Sequence, residues 1–303
     1  MSAVDEIRDG CAWVAAQATH VRVVEEAIPA YAASLPAAEE LPGLDPDVYP
    51  LDGSVEERAA FFLTLDAINF GSGWFPTLRK REGRSGYFTI ALALRDRFRA
   101  HGAWSAAELR TLDAREIAAV LGQDPRHELM GLFARSLTDL GARVGDDFRA
   151  PIERAGGSAV AFAEELARWD CFADVSTYAD RRVPFYKRAQ IAAADLHLAG
   201  VADFADLERL TLFADNLVPH VLRLDGILRF EPELVARIEA GELLEHDSAE
   251  EVEMRAGAVH AAELICRARP DLTPQQVDQL LWTRGGGARY KAVPRPRARC
   301  TAY

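Results

Sequence analysis

The sequence predicts an all-α fold in which many helices form a single unit over residues 1–303. Nearly every segment longer than about ten residues repeats its apolar side chains with helical period, and the alternation typical of strands is scarce. The clearest helical segments are residues 55–70, 152–172, 189–198 and 251–267. Gly-rich and Pro-rich breaks separate these segments, so we expect about a dozen helices with short connections. A division into two lobes near residue 150 is the alternative.

Three of the breaks carry helix-start signals. In each, a hydroxyl residue precedes either a glutamate at the spacing of a capping box or a proline in the first turn. The three pairs are Ser54 with Glu57, Ser105 with Glu108, and Thr273 with Pro274. These signals predict where helices begin and carry no chemistry of their own.

The charge balance limits the class of ligand. The chain has 35 Lys and Arg against 47 Asp and Glu, which gives a net charge of -12. Binding of a nucleic-acid polymer depends on a basic surface that releases counterions, and this balance opposes it. We therefore expect a small-molecule substrate and no nucleic-acid polymer as a partner. No pattern in the sequence indicates an oligomeric state.

The cysteines and the N-terminal segment indicate a compartment. The four cysteines are scattered without a C-x-x-C pair, which favours neither a disulfide framework nor a zinc cage. The N-terminal segment is acidic, and no uncharged apolar run approaches the roughly 20 residues that span a bilayer. We expect a cytoplasmic protein that does not use a membrane as a partner.

Residues 66–76 end an apolar helix in a polar, Gly-rich turn that contains several aromatic residues. Glycine permits positive φ and close approach of the backbone, and flat aromatic faces suit a planar ligand. A helix C-terminus plugged by aromatic side chains would have the same composition. The candidate ligand contacts in this turn are Asn69, Phe70, Ser72 and Trp74.

Residues 185–195 form the second candidate segment, in which Tyr186 and Lys187 precede an Ala-rich helix. A step of roughly 100° per residue places Arg188 and Asp195 on nearly one line, with Lys187 about 80° away. An intrahelical ion pair on a solvated surface would explain this spacing. The many small residues favour instead a buried, functional placement of these ionic groups.

Asp215 stands in an otherwise apolar stretch, after Phe213 and just before Pro219. A helix begins near this proline, and an Asp at that position caps the free N–H groups of the first turn. Capping also orients a carboxylate, and apolar surroundings tune its pKa. Asp215 is therefore a candidate for both capping and catalysis.

The C-terminal third contains further polar and aromatic clusters. A surface helix would explain most of the glutamates in residues 250–255. Trp282, four residues after Asp278, is a candidate to close a pocket, and anchoring in the core is the alternative. Residues 299–303, with a terminal Arg and Tyr, allow the same two interpretations.

Several common catalytic motifs do not occur. The sequence has no Gly-rich phosphate loop, dinucleotide fingerprint, H-E-x-x-H helix, G-x-S-x-G elbow or zinc-deaminase spacing. Its seven histidines are dispersed. The sequence therefore predicts no cofactor and no metal.

Six motifs in order resemble the queuosine salvage protein family, which consists of queuosine 5'-phosphate N-glycosylases/hydrolases. They are D-A-I-N-F-G-S-G-W-F-P from Asp66, F-Y-K-R-A-Q-I before Asp195, T-L-F-A-D before Pro219, E-V-E-M-R-A, D-x-x-L-W, and R-C-T-A-Y ending at Tyr303. The resemblance implies an all-α fold, distantly like helix-hairpin-helix DNA glycosylases. It also implies hydrolysis of the N-glycosidic bond of queuosine 5'-monophosphate, which releases queuine and ribose 5-phosphate for salvage.

The resemblance also implies roles for individual residues. The family's T-x-F-A-D motif falls on Asp215, which becomes the expected catalytic carboxylate, acting by electrostatic stabilisation, a covalent adduct or activation of water. The base is expected to lie against aromatic residues, with Asn69 or Asp195 at its edge and Lys187, Arg188 or Arg299 at the 5'-phosphate. The expected substrate-binding residues are Asn69, Phe70, Ser72, Trp74, Tyr186, Lys187, Asp195, Phe213 and Trp282.

The chain departs from the family pattern at a few positions. Asn216, Leu217 and His220 stand where Tyr, Arg and Gln are expected, and the L-P-G-V-G hairpin of DNA glycosylases is absent. A DNA or RNA base glycosylase would need that hairpin and a basic stripe. Two further functions stay open for the sequence, a non-catalytic binding protein for a modified nucleoside or nucleotide and a base-exchanging transferase.

Overall fold

The computed structural model describes residues 2–38, 41 and 43–303. Helices hold 57% of the chain and strands 5%, so the mostly helical fold predicted from the sequence is confirmed. The described α-helices are α1 (Ala3–Gln17), α2 (Ile28–Ser34), α3 (Val55–Ala67), α4 (Gly86–His101), α5 (Ala106–Leu109), α6 (Ala114–Leu121), α7 (Glu128–Arg143), α8 (Ala150–Arg154), α9 (Ala159–Leu166), α10 (Lys187–Leu198), α11 (Leu217–Leu224), α12 (Pro232–Glu239), α13 (Ala249–Ala268), α14 (Pro274–Gly285) and α15 (Ala288–Lys291). None of them is both long and apolar enough to cross a membrane.

In the described part of the chain, four short strands form two antiparallel pairs. They are β1 (Val21–Val23), β2 (Val175–Tyr178), β3 (Arg181–Pro184) and β4 (Leu228–Phe230). β1 pairs with β4, with Val21 opposite Phe230, and β2 pairs with β3, with Val175 opposite Pro184. The tight β2–β3 turn places Ala179 and Asp180 at positive φ.

The chain divides into two compact units, each built from separate stretches of sequence. Unit 1 comprises Met1–Leu41, Asp174–Lys187 and Glu208–Cys300, and unit 2 comprises Pro42–Ala173, Arg188–Leu207 and Thr301–Tyr303. The first residue of α10, Lys187, thus belongs to unit 1, and the rest of that helix belongs to unit 2.

Helix α13 lies at the centre of unit 1, where it packs against α1, α2, α11, α14 and β1. Its position overturns the expectation of a surface helix, because Glu251, Glu253 and Arg255 are fully buried. Burial of a carboxylate requires hydrogen-bond partners. Glu253 Oε2 accepts the backbone N–H groups of His20 and Val21 at 2.6 and 2.9 Å, at the start of β1. Glu251 and Glu253 are therefore internal acceptors rather than solvated charges.

Helix α7 lies at the centre of unit 2 and packs against α3, α5 and α6. Its small residue Gly141 allows α5 to approach closely, since a Cβ there would lie 2.7 Å from both Ala106 O and Leu109 Cβ. The buried face of α7 includes Leu129, Phe133 and Leu137, whose helical spacing forms one apolar stripe.

The predicted helix starts are confirmed. Ser54, Ser105 and Thr273 each accept the N–H of the residue three positions later, and each forms a complete capping box. Such a cap stabilises a helix by about 1 kcal/mol because it satisfies N–H groups that have no partner within the helix.

The prediction of one helix over residues 152–172 is wrong. α8 ends at Arg154, and Gly156 and Gly157 follow at φ of 59° and 81°, outside the helical region. Ser158 then caps α9, so the apolar period continues across a turn that the glycines impose.

Candidate functional site

Asp215 lies in unit 1 at the N-terminus of α11, as the sequence predicts. Its Oδ1 accepts the N–H groups of Leu217 and Val218 at 2.8 and 3.0 Å. Among the described residues, its second oxygen, Oδ2, takes part in no hydrogen bond. The cap therefore fixes a half-buried carboxylate and leaves one oxygen for a ligand.

A second carboxylate, Asp278 of α14, belongs to the same part of unit 1. The N–H of Phe213 donates to its Oδ1 at 3.1 Å, two residues before Asp215. Burial, followed by the negative charge of Asp215, raises the pKa of Asp278 well above its ordinary value. The Phe213 N–H and the Lys187 ammonium act in the opposite direction. The site thus contains two carboxylates in different environments, of which the buried one favours its protonated form.

Asp174 holds the backbone of Lys187 in place. Its N–H donates to Asp174 Oδ2 at 2.9 Å, and Asp174 O accepts the N–H groups of Phe185 and Tyr186 at 3.1 and 3.2 Å. Tyr186 adopts a positive φ of 48°, which turns the chain into α10. The Lys187 side chain is buried, which contradicts a solvated surface placement and supports the buried placement that the small residues of α10 favour.

Arg255 connects the segments that carry Asp215 and Lys187. Its Nη2 lies 2.7 Å from Asp174 Oδ2, and its Nε donates to Ala214 O at 3.0 Å. Its guanidinium also lies 4.0 Å from the centre of the Phe185 ring. Because Ala214 precedes Asp215 and Asp174 binds the Lys187 backbone, one buried arginine positions both segments.

Trp282 and Tyr186 supply aromatic surface in unit 1. Trp282 follows Asp278 by four residues in α14, so both project from the same face of that helix. The Trp282 side chain is exposed, so it does not anchor the core. Tyr186 is nearly buried, and Arg182 donates a hydrogen bond to its hydroxyl.

The Gly-rich turn after α3 belongs to unit 2. Gly71 has a φ of 98°, and a Cβ there would lie 2.6 Å from Leu129 Cδ1, so only glycine fits. Phe70 packs edge to face on Phe133 at 5.0 Å, and Trp74 Nε1 donates to Glu128 Oε2 at 2.8 Å. These two aromatic residues therefore plug the turn, as expected for a helix C-terminus closed by aromatic side chains.

The same turn also carries polar groups. Ser72 is buried, and its hydroxyl has no hydrogen-bond partner among the described residues. Asn69 is half-buried at the end of α3. An unsatisfied buried hydroxyl is uncommon in folded proteins and is a typical position for a ligand or water.

Asp195 lies on α10 in unit 2, in a cluster that the sequence did not reveal. The hydroxyl groups of Tyr49 and Tyr87 lie 2.9 Å apart. Burial raises the pKa of both phenols, and the charges of Asp195 and Asp66 raise it further. One sequence signal could have identified the cluster, since Asp66 is the only charged residue in the apolar run 59–70.

The comparisons with known proteins give one consistent result. Residues 49–303 match the sequence profile of the family described as queuosine salvage protein. The chain belongs to this family. A Sphaerobacter thermophilus relative is 34% identical over 82% of this chain and 82% of its own length. Relatives from Mus musculus and Bos taurus are 28% and 27% identical, over 59% and 66% of this chain and 58% and 66% of their own lengths. All three carry the name queuosine 5'-phosphate N-glycosylase/hydrolase.

Asn216 and His220 stand where the pattern of the queuosine salvage family predicts Tyr and Gln. Asn216 Nδ2 donates to Pro296 O at 2.7 Å, and His220 Nε2 lies 2.9 Å from Tyr290 O. Burial lowers the pKa of His220, which favours the neutral imidazole as a donor to that carbonyl. Both residues thus bind the backbone of the C-terminal segment of unit 1.

The structure groups the predicted residues of the queuosine salvage motifs by unit. Unit 1 contains Tyr186, Lys187, Phe213, Asp215 and Trp282, and unit 2 contains Asn69, Phe70, Ser72, Trp74 and Asp195. Sequence reasoning did not single out Asp174 or Arg295 in unit 1, and it named Asp278 only as part of the D-x-x-L-W motif, without a role. The charge of Arg295 acts on Asp215 from the segment before the C-terminus.

Arg188 is one of the three cations expected at the phosphate. It is buried in unit 2, where its Nη1 donates to Cys171 O and, at 2.7 Å, to Ala67 O. Its guanidinium also lies 5.0 Å from the centre of the Phe70 ring. These contacts give Arg188 a structural role at the end of α3.

One group of described residues has metal-ligand composition. His246, Asp247 and Glu251 bring their ligand atoms within 4.8 Å of one another in unit 1. His246 Nδ1 lies 3.5 Å from Glu251 Oε2, and this contact, the largest cause, raises the pKa of the histidine. An ion pair accounts for the arrangement.

Proposed function

We propose that the chain hydrolyses the N-glycosidic bond of queuosine 5'-monophosphate and releases queuine and ribose 5-phosphate for salvage. The family match over residues 49–303 and the names of the relatives support this activity. The observation that carries the proposal is the capped carboxylate of Asp215 in the T-L-F-A-D motif, which retains an oxygen without a hydrogen bond to any described residue.

Asp215 acts on the ribose. Breaking the bond between C1′ and the base nitrogen builds positive charge on the sugar ring, and a carboxylate beneath C1′ stabilises that charge. Two backbone N–H groups orient Asp215 before substrate binds, so little reorganisation is needed during the reaction. Removal of the carboxylate charge should therefore reduce kcat more than it changes KM.

The motif residues of unit 1 bind the substrate. Phe213, Tyr186 and Trp282 offer aromatic surface to the base. Lys187 binds the 5'-phosphate, because a buried ammonium forms a strong charge-assisted hydrogen bond.

We place the reaction in the cytoplasm, with a small molecule rather than a nucleic-acid polymer as substrate. The net charge of -12 supports a small substrate over a nucleic-acid polymer. The distant likeness to helix-hairpin-helix DNA glycosylases would then concern only the helical scaffold and the Asp at a helix N-terminus.

The test is the release of free queuine from queuosine 5'-monophosphate, followed chromatographically for wild type, Asp215→Asn and Lys187→Ala. Asn keeps the capping oxygen and loses the charge, so that variant should fold and react at least about a thousandfold more slowly, roughly 4 kcal/mol of barrier. Lys187→Ala should mainly raise KM for the monophosphate.

Two outcomes would favour other functions. If wild type binds the nucleotide and releases no queuine, the chain is a binding protein. If release requires an added free base, and the ribosyl group is recovered on that base, the chain is a transferase rather than a hydrolase.

A further inference from the structure

In the proposed reaction, on which the following inference rests, the departing base needs a proton. Cleavage leaves the bonding electrons on the base nitrogen, and a proton donor lowers the barrier by relieving that negative charge. Queuine is a 7-deazaguanine, in which carbon replaces N7. Protonation at that position, which assists the departure of ordinary purines, is therefore not available, and the proton must be received elsewhere on the base.

The hydrogen bonds of Asp278 suit a neutral carboxyl group. Its Oδ1 accepts the Phe213 N–H at 3.1 Å, as the carbonyl oxygen of an undissociated acid does. Among the described residues, Oδ2 has no hydrogen-bond partner, so a proton on this oxygen can be donated to a ligand. Trp282, one helical turn further along α14, offers an exposed aromatic surface on the same face.

The two carboxylates differ in ways that separate their roles. Asp215 is half-buried, accepts two backbone N–H groups and interacts with the charge of Arg295. Asp278 is buried and receives one N–H. The charged groups that act on Asp278 are Asp215, which raises its pKa, and Lys187, which opposes that change. Paired acids whose environments differ in this way commonly divide into an ionised and a protonated partner.

Other acidic groups near α14 are already engaged. On the adjacent α13, Glu253 accepts the N–H groups of His20 and Val21. Asp174 receives Arg255 and the Lys187 N–H. Lys187 itself is ordinarily a much weaker acid than a carboxyl group. Among these groups, Asp278 is therefore the candidate proton donor.

We propose that Asp278 is the general acid that protonates the departing queuine. As the C1′–N bond breaks, its electron pair moves to the base, and the Oδ2 proton of Asp278 passes to a base nitrogen. Water then forms the new bond to C1′ and gives up one proton, which restores the acid. The sum is one water consumed, with one queuine and one ribose 5-phosphate formed.

The experiment compares two leaving groups in wild type, Asp278→Asn and Asp215→Asn. The first substrate is queuosine 5'-monophosphate, and the second is 4-nitrophenyl β-ribofuranoside 5-phosphate, whose nitrophenolate departs without a proton. Asn at position 278 keeps the acceptor for the Phe213 N–H. We expect Asp278→Asn to lose about a hundredfold or more in kcat on the nucleotide and to stay within a few-fold on the nitrophenyl substrate. Asp215→Asn should lose activity on both.

The outcomes separate this inference from the proposed function. If wild type releases no queuine, the proposed function itself fails. If wild type is active and Asp278→Asn is equally active, or slows equally on both substrates, Asp278 is not the acid. The pH profile on the nucleotide decides independently, since a required acid makes kcat/KM fall as pH rises through its pKa. That alkaline fall should disappear in Asp278→Asn, and its persistence would overturn the assignment.

Discussion

The buried ion pair of Arg255 with Asp174 holds the two segments that carry Asp215 and Lys187. Arg255 binds Ala214 O beside Asp215, and Asp174 binds the N–H of Lys187. Neither residue needs to touch substrate for this effect. Their value lies in fixing the separation of a carboxylate and an ammonium within the narrow limits that catalysis requires.

Asp174→Asn should destabilise the protein strongly. It removes the carboxylate charge 2.7 Å from the buried Arg255, while Glu251 Oε1 stays 3.9 Å away, and removal of one partner of a buried pair costs about 3 to 5 kcal/mol. Urea unfolding followed by circular dichroism measures the loss. The matched control is Asp271→Asn, which removes an exposed partner of Arg269 and should cost less than about 1 kcal/mol. Equal losses in the two variants would contradict a buried, structural ion pair.

The raised pKa of Asp278 predicts a dependence of stability on pH. The unfolded chain loses this proton near the ordinary value of about 4, whereas the folded chain keeps it to higher pH. Above the ordinary value, ionisation therefore favours the unfolded state, by up to about 1.4 kcal/mol per pH unit until the folded pKa is reached. Asn does not titrate, so Asp278→Asn should gain stability relative to wild type as pH rises.

Urea unfolding of both proteins at about pH 4 and about pH 7 tests this sign. We expect the difference in unfolding free energy to shift in favour of Asp278→Asn at the higher pH. A difference that is constant with pH would show that Asp278 titrates alike in the folded and unfolded chains.

The sequence predicts a catalytic role for Asp215 and gives Asp278 no role beyond its D-x-x-L-W motif, for a physical reason. Asp215 stands before a helix in an apolar run, and both signals are local. Asp278 follows an ordinary capping box in a helix with polar neighbours, and its burial arises only from packing against the loop that contains Phe213. The pKa of Asp278 is set by contacts between segments that are distant in sequence. The spacing of residues along the chain does not reveal such contacts.

Packing of α14 against α11 links helix geometry to the orientation of Asp215. A Cβ at Gly285 would lie 2.8 Å from Leu217 Cδ1, and the N–H of Leu217 is one of the two that bind Asp215. The first turn of α11 therefore depends on a small residue at the end of α14.

Gly285→Ala should displace that turn and lower kcat by about tenfold or more, since small displacements of a catalytic group reduce rate steeply. Steady-state kinetics on queuosine 5'-monophosphate measures the effect. Gly257→Ala in α13 is the control, because its Cβ would meet only ordinary contacts, 3.4 Å from Leu228 Cδ2. Unchanged kcat in Gly285→Ala would mean that α11 tolerates the shift without moving Asp215.

The sequence predicted helix starts better than helix lengths. Capping boxes at Ser54, Ser105 and Thr273 act within one turn, so spacing alone reveals them. The apolar period over residues 152–172 concealed a break, because α8 and α9 both bury residues on either side of Gly156 and Gly157. The sequence did not predict the burial of Glu251 and Glu253, because charged side chains are usually exposed. The burial of Glu253 depends on hydrogen bonds from a segment distant in sequence.

For the whole chain, the class of fold followed from composition and period, whereas the division into units did not. β1 pairs with β4 and α1 packs on α13, although more than 200 residues separate them. Such long-range contacts define unit 1 from three separate stretches. The organisation of residues 1–303 as a single helical unit stays a prediction.

The net charge of the chain predicts a small substrate rather than a polyanion. A protein with a charge of -12 and no basic stripe in its sequence gains little from releasing counterions of a polyanion. Addition of excess tRNA at low salt should therefore leave kcat/KM for queuosine 5'-monophosphate unchanged. Free ribose 5-phosphate, which shares the ribosyl phosphate group with substrate, is the positive control and should compete. Inhibition by tRNA that weakens as salt is added would instead indicate a polyanion-binding surface, and the substrate would then include the nucleic acid itself.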